Sequence, residues 1–172
     1  MRCTMRNKKV ERLVFMGLCT AIALLLSYVE AVLPPIFSAV PGIKMGLANI
    51  CIVFALYRFG VFDAALISLV RLVIVSMLFG NPMMFIYSFA GAALSLTVMA
   101  ILKKLDFMSG VGVSVAGGIT HNVGQVLVAM VLLGTAEIGY YMVVLTLTGT
   151  LSGVFVGLCG GLLMRYLPKN KF

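Results

Sequence analysis

LVFMGLCTAIALLLSYVEAVL, residues 13–33, decides the class of this fold. The run is about 21 residues long and carries one charge, Glu30, near its far end. As a helix rising ~1.5 Å per residue, it crosses the roughly 30 Å hydrocarbon core of a bilayer. Basic residues precede it, as they precede the apolar core of a signal peptide. The run exceeds the ~7–15 residues of such a core, however. Five further apolar runs follow, so the class would survive cleavage.

Composition agrees with that run. The chain has 172 residues, of which 62% are hydrophobic and 10% charged, with a mean hydropathy of +1.16. A soluble domain carries about 25% charged residues to clothe its core. This chain cannot, and lipid is its solvent. The expected architecture is an all-α integral membrane bundle of six transmembrane helices, forming a single domain over 1–172. Helix 1 is expected at 13–33, stopped by Pro34-Pro35, and helix 2 at 46–57, short for a full crossing. Helix 3 follows at 62–79, helix 4 at 83–102, helix 5 at 111–133 and helix 6 at 140–167.

The formal net charge of +8 raises nucleic acid as a partner, but the cations build no basic face. They fall instead in a basic tail over 1–12, between helices and after helix 6. With six spans, eleven of the 13 Lys and Arg residues lie on one side: Arg2, Arg6, Lys8, Lys9, Arg12, Arg58, Lys103, Lys104, Arg165, Lys169 and Lys171. Lys44 lies on the other side, and Arg71 lies inside helix 3. Loops rich in Lys and Arg face the cytoplasm. Both termini, including the tail at 168–172, are therefore expected to be cytoplasmic, in a multi-pass protein of the cell membrane that meets anionic lipid.

Polar groups inside lipid each need a reason. Arg71 sits near the middle of helix 3. Its guanidinium cannot deprotonate, and its fork of donors suits a carboxylate or phosphate. Ser114, Gly118, His121 with its neighbour Asn122, and Gln125 recur at helical spacing on one face of helix 5. Asn49 and Glu30 lie near the outer ends of helices 2 and 1. Arg71, His121, Asn122, Gln125, Asn49, Glu30 and Lys44 form the candidate substrate-binding set, in a pocket open to the outside. The alternatives are an interhelical hydrogen-bond network and an Arg71–Glu30 ion pair. Asp63 and Glu137, at helix borders, read as wetted. Gly149, Gly153, Gly157 and Gly161 form a small-residue stripe on helix 6, suited to packing within the chain or to docking a membrane partner. Gly17 and Ala21 are a shorter version on helix 1.

Catalytic signatures are missing. The sequence has no phosphate loop of the G-x-x-x-x-G-K-[ST] type, no G-x-S-x-G and no H-E-x-x-H. Cys3, Cys19, Cys51 and Cys159 show neither CxxC nor metal-ligand spacing. No enzyme activity, cofactor or metal site is expected. The two aspartates, Asp63 and Asp106, are far apart, whereas Mg²⁺-dependent ionisation of an allylic diphosphate needs clustered carboxylates.

The stretch Pro41-Gly42-Ile43-Lys44-Met45-Gly46-Leu47-Ala48-Asn49 resembles the signature of the Gx transporter family, often labelled heptaprenyl diphosphate synthase component I. Arg71, Gly80, Gly91, Ser95 and the run from Ser114 to Gln125 fit as well. That family is similar to the substrate-binding S-components of energy-coupling factor (ECF) vitamin transporters. The resemblance implies a six-helix fold, a substrate pocket near the outer face and a lid-like loop at 34–45. It also implies that helix 1 docks on a transmembrane coupling subunit driven by an ATPase pair. The docking motif of those proteins is Ala-x-x-x-Ala, and Gly17-x-x-x-Ala21 departs from it. Two functions are therefore expected to compete. One is a substrate-binding subunit of an importer for a vitamin, a flavin-like compound or an isoprenoid precursor. The other is an accessory membrane subunit of a prenyl diphosphate synthase.

Overall fold

A computed structural model of the chain describes residues 2–32 and 46–166. Helices α1 (Arg2–Val32), α2 (Asn49–Arg58), α3 (Val61–Phe79), α4 (Pro82–Leu105), α5 (Gly110–Leu133) and α6 (Tyr141–Tyr166) follow in order, with a 3-10 turn, Ala136–Tyr140, before the last. Local chemistry sets their ends. Gly46, at φ +71°, makes the turn that leads into α2. Asn81 caps α4 by accepting from the Met84 amide at 2.8 Å, with Pro82 in the first turn. Ser109 caps α5 in the same way through the Gly112 amide, and Gly134 closes α5 in the left-handed conformation.

The helices close a ring in which each packs on the next, in the order α1, α3, α4, α5, α6, α2 and back to α1. The α5–α6 seam is the tightest. A Cβ built on Gly118 would lie 2.3 Å from the Gly149 carbonyl, and one on Gly153 would lie 2.6 Å from the Val115 Cα. Gly149, Gly153 and Gly157 are thus spent on packing within the chain, as small residues in lipid commonly are. Gly161 differs: nothing lies within 4 Å of its Cβ position, so it is no part of that seam.

Among the described residues five helices are long and apolar enough to cross a membrane, and α2 is not. Ten residues of α2 rise only about 15 Å. Among the described residues the ring is consequently filled on one half of its length and open on the other. Around α2 lies the dry core: Ile52, Val53, Leu56, Ala64, Ile67, Met99, Val113 and Val156 are all buried together. Outward, long side chains such as Leu13, Leu25, Leu147 and Leu151 stand exposed, the pattern of a surface made for lipid. The chain is an all-α membrane bundle.

Several expectations change. The basic stretch over 1–12 is not a tail separate from helix 1; α1 runs through it from Arg2. A helix of 31 residues spans about 46 Å, so its basic turns extend past any hydrocarbon core. Helix 2 is a half-span, yet it still returns the chain to the end where α1 begins, so the segregation of cations survives. Lys9, Arg12, Arg58, Lys103, Lys104 and Arg165 all belong to that basic end. Asp63 is not wetted: its side chain is buried and receives an ion pair from Arg12, joining α1 to α3. Sequence places Asp63 at a helix border, but the extra turns of α1 cover it. Lys103 reaches the Leu56 carbonyl at 2.6 Å and lies over the Tyr57 ring, closing the C-terminal end of α2. The loop at 34–45 and the terminus at 168–172 lie outside the described residues.

Candidate substrate cavity

Beyond the first turn of α2 the ring encloses a cavity of about 340 Å³. This is the lower part of the ~300–1,000 Å³ range of small-molecule pockets. The cavity lies toward the end opposite the basic residues, since its wall includes Ala31 of α1, Phe79 of α3 with Gly80 just after it, and Met84 of α4. It exists because α2 is short, and α2 begins at this level because Glu30 Oε1 accepts the Leu47 amide at 2.8 Å. Glu30 therefore anchors the turn that forms the cavity floor.

Of the seven candidate binding residues, six line this one cavity: Glu30, Asn49, Arg71, His121, Asn122 and Gln125. Lys44 lies outside the described residues. The six do not play equal parts. Asn122 donates to the Leu145 carbonyl at 2.5 Å, so its amide nitrogen ties α5 to α6, as the interhelical-network alternative requires. Gln125 and His121 are paired with each other at 3.2 Å, one turn apart on α5. Gly91 of α4 leaves them room, since a Cβ there would lie 2.8 Å from Gln125 Cγ.

Arg71 is different. Among the described residues its Nε is buried with no hydrogen-bond partner, and no ion pair within 4 Å joins it to Glu30. An orphaned donor on a charged group is expensive in a low-dielectric interior. Ser27 Oγ, on the same wall, is the other buried side-chain atom without a partner among the described residues. Ser27 lies three residues before Glu30, on the same face of α1. That spacing to a charged residue in an apolar helix was the available sequence signal, and Ser27 was missed. Ser76, Ser88 and Ser152 also line the cavity without having been singled out.

A second, much smaller chamber of about 30 Å³ lies deeper, toward the α2 core. It shares Asn49, Gly118, His121 and Ser152 with the large cavity and adds Ser68, Ser95 and Ser114. Ser95 donates to the Gly117 carbonyl at 2.8 Å, which ties α4 to α5. The helix 5 face read from sequence is thus divided. Gly118 and His121 serve both spaces, Asn122 and Gln125 the large one, and Ser114 the small one.

Comparison with known proteins identifies the family. The family described as heptaprenyl diphosphate synthase component I matches residues 19–163. The chain belongs to this family. The match contains all six helices' cavity-lining residues, from Ser27 to Ser152. No curated protein and no solved structure matches the chain.

Proposed function

We propose that this family member is the membrane substrate-binding subunit of an energy-coupling-factor-type importer. It captures a small metabolite at the outer face and delivers it inward with a partner ATPase module. The observation that carries the reading is the pair of orphaned buried atoms, Arg71 Nε and Ser27 Oγ, on the wall of one cavity. A structural arginine in lipid would be expected to find its partners within the chain; this one leaves Nε without a partner among the described residues, as a group kept for an occupant would. The basic end faces the cytoplasm by the distribution of Lys and Arg, which puts the cavity toward the outside. Gly17 on α1 has nothing within 4 Å of its Cβ position, and Leu13, Val14 and Leu18 beside it are exposed. That face is free to dock a coupling subunit, whereas the glycines of the α5–α6 seam are occupied.

On this reading the chain binds its ligand and does not transform it. Among the described residues no three His, Cys, Asp or Glu side chains come together. Asp63 is held by Arg12 at the basic end, and Asp106 caps α4. The family description favours a second reading, an accessory membrane subunit of a prenyl diphosphate synthase. Against it, a cavity of about 340 Å³ suits a compact metabolite, not a chain of seven isoprene units.

Affinity purification from native membranes in mild detergent, followed by mass spectrometry, separates the two. Recovery of a membrane coupling protein with paired ATPases supports the importer; recovery of a soluble prenyltransferase chain overturns it. For the site itself, Arg71→Ala should weaken ligand binding by about 100-fold or more while the protein still inserts and folds, because charge-assisted bonds contribute ~1.5–3 kcal/mol each. Unchanged affinity would remove Arg71 from the site.

A further inference from the structure

The geometry points to a zwitterion as the occupant: a compact molecule with an anionic group for Arg71 and a cationic group for Glu30. This rests on the cavity being a ligand site, as proposed above, and adds the charge class of the ligand. The two ionisable groups of opposite sign on the cavity wall are not consumed by each other, since no ion pair within 4 Å joins them among the described residues. Arg71 leaves Nε without a partner. Glu30 uses Oε1 for the Leu47 amide, and no other hydrogen bond to its carboxylate occurs among the described residues.

With one guanidinium and one carboxylate, the wall formed by the described residues is formally neutral. A simple anion would satisfy Arg71 but add a second negative charge beside Glu30, in a space where apolar helices keep the dielectric low. A simple cation would reverse the problem and leave the Arg71 donor orphaned. A molecule carrying both signs meets both groups and keeps the cavity neutral, so no uncompensated charge is drawn into the membrane. The rest of the wall fits such a ligand. Ser27, Ser76 and Ser88 offer hydroxyls, His121 and Gln125 offer an adjustable donor–acceptor pair, and Leu72, Val75 and Phe79 supply an apolar side.

The test uses the full-length protein in detergent. Its thermal unfolding is followed against the small-molecule extract of cells that make it, fractionated by charge. A cation exchanger at acid pH retains amines, and an anion exchanger at alkaline pH retains acids; a zwitterion is retained by both. The expected result is a Tm rise of roughly 5–10 °C near 100-fold excess over Kd, confined to material held by both resins. Glu30→Gln, which keeps an acceptor for the Leu47 amide, and Arg71→Gln should each reduce that rise. Stabilising material held only by the anion exchanger, or an undiminished response in Glu30→Gln, overturns the zwitterion while leaving the ligand site intact. Absence of any stabilising fraction overturns both readings. If a variant does not fold, fractionation against the unaltered protein still decides.

Discussion

Two halves of this bundle are built from the same ring of helices and packed in opposite ways. Around α2, Leu56, Ile67 and Val113 are essentially sealed from solvent, and polar atoms there have partners: Asp63 has Arg12, and the Leu56 carbonyl has Lys103. Beyond Asn49 the ring holds a cavity, and two buried polar atoms on its wall have none among the described residues. The first half follows the ordinary rules of a stable interior, close packing and satisfied polar groups. The second half breaks them where an occupant would restore them. On the proposed reading, stability and recognition are separated along the length of the bundle, and α2, by stopping halfway, draws the line between them.

The sharpest way to break the comparison is at the seam that both halves share. Gly118→Val puts a branched side chain where even a Cβ lies 2.3 Å from the Gly149 carbonyl. The neighbour is backbone and cannot rotate away, so α5 and α6 must separate. The expected outcome is loss of monodisperse protein on size-exclusion chromatography after solubilisation. Recovery of normal folded protein would mean that the seam is looser than its geometry.

Next in size is the dry half alone. Leu56→Ala removes a fully buried side chain from the α2 core, a change that costs ~2–5 kcal/mol in well-packed interiors. Thermal unfolding should shift downward by roughly 5–15 °C for a chain of this length. Ligand binding, read at a temperature where the variant is folded, should change little. A large loss of affinity with little loss of stability would place α2 in the recognition half.

The Arg12–Asp63 pair should have a smaller effect. Asp63 is buried but the Arg12 side chain is 47% exposed, so solvent screens the interaction and can rehydrate the arginine when its partner is lost. Asp63→Ala should lower stability by about 1 kcal/mol, and a double-mutant cycle with Arg12→Ala should show non-additivity. Strict additivity would show that the two side chains act independently.

What could be read from the chain follows the same division. The long apolar runs and their charged borders were legible because lipid imposes them locally: each crossing needs its own run, and each cytoplasmic border its own cations. That Arg71, His121 and Gln125 would meet at one cavity was legible for a related reason, since polar groups in apolar helices turn toward a shared interior. Burial of Asp63 was not legible. It depends on Arg12 reaching it across a separation of 51 residues, after α1 has grown by three turns through a stretch that reads as a tail. Nor could spacing tell which glycines would be spent on packing. Gly149 and Gly161 share one stripe, but only Gly149 meets a neighbouring backbone.

The smallest effect is at Ser27, and its sign matters more than its size. In the packed half, deleting a buried side-chain group should cost stability, because neighbours lose contacts. Ser27 Oγ has no partner to lose. Ser27→Ala removes a desolvated hydroxyl from a helix interior and supplies the residue with the best helix propensity, so the ligand-free protein should be unchanged or gain up to ~0.5 kcal/mol. The same variant should weaken ligand binding, because the hydroxyl is then missing when the occupant arrives. Opposite signs for stability and affinity are the signature of a group held ready for something outside the chain. If the variant instead unfolds at a clearly lower temperature without ligand, Ser27 already has a partner, and the open half is held together by the same rules as the closed one.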